Sequence, residues 1–285
     1  MRRVEIILGP TASGKTAYSI QKAQEYGCPI INCDSRQIYK ELCIGTAVPS
    51  PEELAAVKHY FIRTVPIAEN YTAGVYEAQA IELVNKLFAQ GHDTLVMCGG
   101  SMLYIDAFCY GLDDFPEVPL QLRRHLMECL QSEGVEVLAD QLKELDPVSY
   151  AEIDLSNGQR VIRALEVSMY TGEPFSSFKT RRFKERDFEI VKIGLERPRE
   201  ELYDRINSRV LSMIDAGLED EARAMLPYRD LPALQTVGYK EMFSYFDGEC
   251  TLEEAIRRIQ VNTRHYAKSQ LTWWRRDPEI QWVTL

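Results

Sequence analysis

A chain of 285 residues that is 45% hydrophobic has the apolar content for one large domain or two modest ones. It lacks an apolar run of about 18 residues, which excludes a membrane-spanning helix, and its seven scattered cysteines, with no Cys-x-x-Cys pair, read mostly as small buried hydrophobes rather than a metal site or a disulfide framework. The formal net charge of −10 confines any nucleic-acid contact to a local basic surface, because neutralising phosphates requires Lys and Arg.

"MRRVEIIL" reads as a buried strand rather than a signal peptide, and the chain is expected in the cytoplasm. It leads into "GPTASGKT", a Gly-x-x-x-x-Gly-Lys-Thr phosphate-binding loop made of Gly9, Pro10, Thr11, Ala12, Ser13, Gly14, Lys15 and Thr16. Gly9 and Gly14 permit backbone conformations that turn successive N–H groups toward an anion. Lys15 adds a point charge, and Thr16 offers its hydroxyl to a Mg²⁺ bridging the phosphates. A helical pattern from Thr16 to Tyr26 places a helix N-terminus at the same anion. The loop alone fits ATP, GTP or a simple diphosphate equally.

The runs "PIINCDS", "KHYFIRTVP" and "TLVMCGG" are strand-like with helical patterns between them, which implies a doubly wound parallel sheet. Ligands of such sheets gather at the strands' carboxyl ends, so the loop, "CDSRQIY" and "CGGSMLY" converge, with Asp34 and Ser101 each just past a strand. Asp34 is equally suited to capping a helix after it. "TLVMC" ends in Gly99-Gly100-Ser101, without the Asp that would hold Mg²⁺ in a standard kinase.

Asp113 to Pro119 reads as a linker, followed by three helical patterns: "PLQLRRHLMECLQSEG" ended by Gly134, "VEVLADQLKELDP" ended by Pro147, and "NGQRVIRALEVSMYTGE" from Asn157-Gly158 to Thr171-Gly172. A strand returns at "FEIVKIGLERP", and residues 200–285 are helical again, with "LQTVGYKEM" as a loop between helices. The expected architecture is α/β: a P-loop NTPase-like core, its parallel β-sheet flanked by helices, in residues 1–112 and 187–285, and a small all-helical insertion domain in 113–186. In "LYDRINSRV", Arg205 and Arg209 share a helix face, where either reaches a pyrophosphate or pairs with a helical neighbour. Two basic islands stand out: Lys179 to Arg186, with five basic residues and one acidic, and Arg257 to Arg276, with six basic residues, no acidic ones, and Tyr266, Trp273 and Trp274 interleaved. Each suits a solvated helix face; together they suit a localised RNA surface. Adjacent tryptophans on a helix point in different directions, so at most one stacks on RNA. His59, His92, His125 and His265 show no ligand spacing.

A P-loop with a helical insertion suggests a nucleoside or small-molecule kinase. The remaining motifs point elsewhere. "GPTASGKT", "INCDSRQIYKELCIGTAVPS", "CGGSMLYIDAFCYGL", "NGQRVIRALEVSMYTGEPFSSF", "TVGYKEM" and "NTRHYAKSQLTWWRR" resemble, in order and spacing, the bacterial tRNA dimethylallyltransferase (isopentenyl-tRNA transferase) family over essentially the whole chain. The resemblance implies transfer of a dimethylallyl group from its diphosphate to N6 of adenine 37, next to a tRNA anticodon. The loop then holds the donor's pyrophosphate, with Mg²⁺, and ATP binding is implied by the motif alone.

The chemistry fits: negative charge grows on the departing pyrophosphate and requires Lys15, the loop amides and the metal. The N6 amine sheds a proton as it attacks, and Asp34 matches the family's carboxylate as base. Ser101 stands where the family usually has Thr and keeps its hydroxyl for the pyrophosphate or the target nucleotide. The adenine must leave the RNA stack. By resemblance Ser35, Arg36, Gln37 and Ile38 line its path, Gln159, Arg160, Val161, Ile162 and Arg163 contact the RNA from the insertion, and Arg123 stands at a further tRNA contact, a place that equally suits a solvated arginine on the insertion's first helix. Arg209 is carried as a diphosphate ligand. His265 replaces a usual Gln, and Ser269 in "AKSQ" replaces a usual Arg, removing one positive charge from the RNA surface. No Cys/His cluster of the zinc finger found in some eukaryotic relatives is present. The partners implied are tRNA and dimethylallyl diphosphate, with no obligate protein partner and a monomeric state. The competing readings are an adenylate isopentenyltransferase acting on a free nucleotide, a P-loop kinase, and a non-catalytic RNA-binding module.

Overall fold

The computed structural model describes residues 2–180 and 183–285; Arg181 and Arg182 of the first basic island lie outside the described residues. The chain forms two compact units, Met1–Tyr110 with Glu185–Leu285, and Gly111–Lys184.

The larger unit is built on one six-stranded sheet in the order β3-β2-β4-β1-β5-β6, with β1 (Arg3–Leu8), β2 (Ile30–Asn32), β3 (His59–Tyr60), β4 (Thr94–Cys98), β5 (Glu189–Glu196) and β6 (Gln281–Thr284). Every pairing is parallel. The apolar runs of β1, β2 and β4 are buried on both faces, as parallel strands covered by helices must be. In this unit lie α1 (Lys15–Tyr26), α2 (Pro51–Ala56), α3 (Ala73–Ala89) and α4 (Met102–Tyr110). The smaller unit consists of α5 (Leu120–Glu133), α6 (Val135–Leu145), α7 (Pro147–Glu152), α8 (Gly158–Thr171) and α9 (Phe175–Phe178), around a core that includes Leu138, Leu142, Val161, Ile162 and Leu165. Asn157 caps α8 by accepting the Arg160 amide, and Gly172 ends it with φ 74°. The larger unit resumes with β5, α10 (Arg199–Asp215), α11 (Leu218–Ala224), α12 (Tyr239–Phe246) and α13 (Leu252–Trp274). Among the described residues, no helix is long and apolar enough to cross a membrane.

Three local expectations are corrected. "KHYFIRTVP" forms strand only at His59–Tyr60, because Phe61 and Arg63 take left-handed backbone at φ 60° and 50° and turn the chain away from the ladder. "TVGYKEM" contains the start of α12: the Glu241 carboxylate accepts the Gly238 amide at 2.8 Å, and Gly238 supplies the φ of +101° needed before the helix. After α13 the chain ends in strand, β6 pairing with β5 at the sheet edge.

Candidate functional site

β1 lies between β4 and β5, so the phosphate-binding loop emerges at the carboxyl end of a central strand, where ligands of such sheets bind. The loop's shape is fixed by backbone. Gly9 has φ 148°, and a Cβ there would stand 2.5 Å from the Leu195 carbonyl of β5; Ala12 and Gly14 are left-handed at φ 66° and 105°. The first-turn amides of α1, from Lys15 onward, have no i−4 acceptor within the helix, the arrangement that suits a helix N-terminus to holding an anion. Lys15 is half-buried, and its Nζ donates to the Gly9 and Pro10 carbonyls, each at 2.8 Å. Burial lowers its pKa to about 8; the nearby Arg209 charge acts in the same direction, while Cys98 and Asp34 oppose it.

Asp34 follows β2. No helix starts there; its Oδ1 instead accepts the amides of Arg36 at 2.8 Å and Gln37 at 3.3 Å, closing a turn. Among the described residues Oδ2 accepts no hydrogen bond, and it lies 3.9 Å from where a Cβ on Gly100 would stand. Ser101 follows β4, and its Oγ accepts the Ser35 amide at 2.7 Å and donates to Ser35 Oγ at 3.0 Å, joining the β4 and β2 termini. The Gln37 side chain donates to the Thr46 and Ala47 carbonyls and shapes the facing loop. That loop is held from beneath by Glu221, whose carboxylate accepts the amides of Cys43, Ile44 and Gly45 and the Tyr239 hydroxyl.

These residues border one cavity of about 890 Å³, lined by Thr11, Ala12, Gly14, Lys15, Thr16, Asp34, Ser35, Arg36, Gln37, Ser101, Arg205 and Arg209 among others. Arg205 donates to the Ala12 carbonyl at 2.8 Å, and Arg209 reaches Thr11 Oγ1 at 3.4 Å. Both α10 arginines therefore sit against the loop. Gly9, Pro10 and Ser13 do not line the cavity; Ser13 is fully buried, and these residues shape the loop from behind. Ile38 is corrected from an RNA-facing residue to a core one: it is 1% exposed and packs in the apolar cluster with Leu42, Leu234 and Phe243.

Two participants escape a reading of sequence. Arg197, just after β5, donates to the Ser13 carbonyl at 2.9 Å. Its only signal is its place at a strand's carboxyl end. Gln270 on α13 bonds the Thr11 amide and the Gly100 carbonyl.

In the smaller unit, the Glu166 carboxylate is 2% exposed and accepts from Arg123 at 3.0 Å and Arg163 at 2.7 Å, while Arg123 also donates to Gln159. Arg123, Gln159 and Arg163 therefore form one ordered polar group, with Arg160 exposed beside it. Val161 and Ile162 are corrected: both are fully buried in that unit's core and offer no side chain to RNA. On α13, Trp274 is 2% exposed and Trp273 is 37% exposed, the division expected for adjacent helix positions. Arg257 and Arg258 pair with Glu254, the behaviour of a solvated helix face.

A family model described as IPP transferase matches residues 37–277. The tRNA dimethylallyltransferase 2 of Parabacteroides distasonis is 50% identical over 282 residues, 99% of this chain and 94% of that one. The tRNA dimethylallyltransferase of Christiangramia forsetii is 51% identical over 276 residues, 97% and 91% of the two chains. The crystal structure of a tRNA isopentenylpyrophosphate transferase from Bacillus halodurans matches with a TM-score of 0.72 at 36% identity, covering 100% of this chain and 90% of that one. A eukaryotic dimethylallyltransferase, captured crystallographically acting on tRNA, has the same fold at a TM-score of 0.79 and 24% identity, covering 100% and 74%.

Proposed function

This chain belongs to the IPP transferase family, and from that membership we propose that it transfers a dimethylallyl group from dimethylallyl diphosphate to N6 of adenine 37 in tRNA, releasing diphosphate. The observation that carries the reading is a single cavity with a phosphate cradle on one side and, on another, a carboxylate with one oxygen free.

The donor's diphosphate sits on the first-turn amides of α1 with Lys15, and Arg205 and Arg209 add positive charge around the loop. As N6 attacks C1 of the dimethylallyl group, the C1–O bond breaks and its electron pair goes to the diphosphate. Fixed donors aimed at that growing charge stabilise the transition state more than the ground state. Asp34 takes the N6 proton on Oδ2, while the Arg36 and Gln37 amides hold Oδ1 and fix the carboxylate's aim. Ser101 fixes the 34–35 turn through the Ser35 amide.

The residues fit a Mg²⁺: Thr16 lines the cavity beside the amides, and no carboxylate cluster is required, because Mg²⁺ is commonly held by one or two protein ligands plus substrate phosphates and water. When bound, it supplies further charge neutralisation of the diphosphate.

The adenine enters extruded from its loop, past Ser35, Arg36 and Gln37. Arg123, Gln159, Arg160 and Arg163 of the helical insertion, together with the exposed face of α13, contact the RNA backbone. On the same reading the protein works in the cytoplasm as a monomer. The kinase alternative is weakened by the absence of an acidic residue after β4.

The test runs three reactions of purified protein with Mg²⁺: dimethylallyl diphosphate with unmodified tRNA, ATP in place of the donor, and dimethylallyl diphosphate with free AMP in place of tRNA. N6-dimethylallyl-adenosine in the first reaction only is expected, with free AMP left unprenylated. ATP turnover without prenylation would return the loop to the kinases, and prenylated AMP would assign the chain to free nucleotides.

A further inference from the structure

Gln270 is a polar side chain with 1% exposure, on the twenty-three-residue helix α13 and far in sequence from every loop of the site. Its Oε1 accepts the Thr11 amide at 2.9 Å, and its Nε2 donates to the Gly100 carbonyl at 2.8 Å. One turn earlier on the same face, Ala267 packs with Ala12, Leu202 and Ile206, so the helix bears on the phosphate loop at two successive contacts. Gly100 is fitted to this approach: a Cβ there would lie 2.6 Å from Nε2. Both ends of the amide are used, and a primary amide alone among side chains of this length presents an acceptor and a donor together.

We propose that Gln270 is a positioning residue for the transfer, which aims the phosphate cradle by drawing the Thr11 amide out of it and sets the cradle's distance from the base by tying that loop to the Gly99–Ser101 turn. The path is continuous: Thr11 to Gln270, Gln270 to Gly100, then Ser101 to the Ser35 amide beside Asp34. The leaving group and the proton acceptor stand on different loops, after β1 and after β2. A transfer between them depends on their separation, and a shift of about 1 Å costs on the order of 100-fold in rate. With Thr11 engaged by Gln270, its amide is withheld from the diphosphate, which is left to the other amides of the loop and the start of α1.

The inference rests on the site being the donor-diphosphate cradle, and the test separates the two. The full chain is compared with Gln270→Met, which keeps the length and removes both hydrogen bonds, and with Gln270→Glu, which keeps the shape and removes the donor. Binding of inorganic diphosphate with Mg²⁺ is measured by calorimetry, and kcat and KM by prenyl transfer. For Gln270→Met, diphosphate binding roughly tenfold weaker and kcat roughly 10- to 100-fold lower are expected, with tRNA affinity within about twofold of wild type. Gln270→Glu should show the same loss of kcat. Diphosphate affinity and kcat within about twofold of wild type in folded Gln270→Met, whatever its thermal midpoint, would overturn the assignment and leave only a packing role. A wild-type chain that binds diphosphate yet prenylates no tRNA would remove the functional reading, while the diphosphate affinity of Gln270→Met still decides the clamp.

Discussion

Raising the pH should disarm the phosphate cradle well before an ordinary lysine would lose its proton. Lys15 has a pKa of about 8 against the usual 10.5, through burial first and the Arg209 charge second. Its Nζ satisfies the Gly9 and Pro10 carbonyls and has one further donor for a bound diphosphate. The ammonium is about nine-tenths present at pH 7 and about one-tenth present at pH 9, so diphosphate affinity through this group weakens about tenfold between them. Diphosphate titrates too, and Lys15→Arg, charged throughout, provides the reference. Calorimetric titrations of both proteins across that range should show the wild-type affinity falling about tenfold relative to the arginine variant. Parallel pH profiles would refute a depressed lysine as the source of the charge. The stability effect has the opposite sense. The folded value lies below the unfolded one, so the unfolded chain holds more protons between about pH 8 and 10.5. The thermal midpoint of the ligand-free chain, referenced to Lys15→Met, should therefore rise through that window.

Asp34→Asn keeps the Oδ1 acceptor for the Arg36 and Gln37 amides and removes the proposed base; single-turnover prenylation should slow by about 10²- to 10⁴-fold with diphosphate and tRNA affinities unchanged. Gly9→Ala places a Cβ 2.5 Å from the Leu195 carbonyl at a φ of 148°, and a loss of roughly 3 kcal/mol or more by denaturant unfolding is expected. Glu166→Gln leaves Arg123 and Arg163 without their shared carboxylate; because both arginines are partly exposed, about 1–3 kcal/mol of stability should be lost. A variant as stable as wild type would show that the pairing is dispensable. The same variant should bind tRNA more weakly in a filter assay.

The phosphate loop was legible because strand, glycines and helix start follow one another within a few residues, and local order fixes its geometry. Asp34 and Ser101 were legible for a related reason, since the parallel alternation puts every strand end on one side. Gln270 and Arg197 were not, because their roles exist only once α13 and the end of β5 pack on a loop near the other end of the chain. Val161 and Ile162 show a different failure. Five consecutive helical residues cannot all face one partner, and an apolar pair followed by Leu165 marks the inward side at a period of 3.6. A family motif aligns as a block, whereas the helical period divides its positions between the core and the surface. β6 is not legible in the sequence because a four-residue, partly exposed edge strand carries little periodic signal.

The placement of β1 between β4 and β5 has a consequence for synthesis on the ribosome. The phosphate loop is translated well before β5, which completes the central strand's ladder and begins at Glu189, and before the helix carrying Gln270, which begins at Leu252. A nascent chain stalled before residue 189 has one side of β1 unpaired, with a row of backbone donors and acceptors open to adventitious strands. Residues of the larger unit on either side of the insertion still find each other in the finished fold: Arg186 donates to the Phe108 carbonyl at 2.8 Å and pairs with Glu77 at 3.0 Å. The loop, made before these partners, therefore acquires its working shape only after them, and vectorial folding leaves it dependent on residues from Glu189 onward.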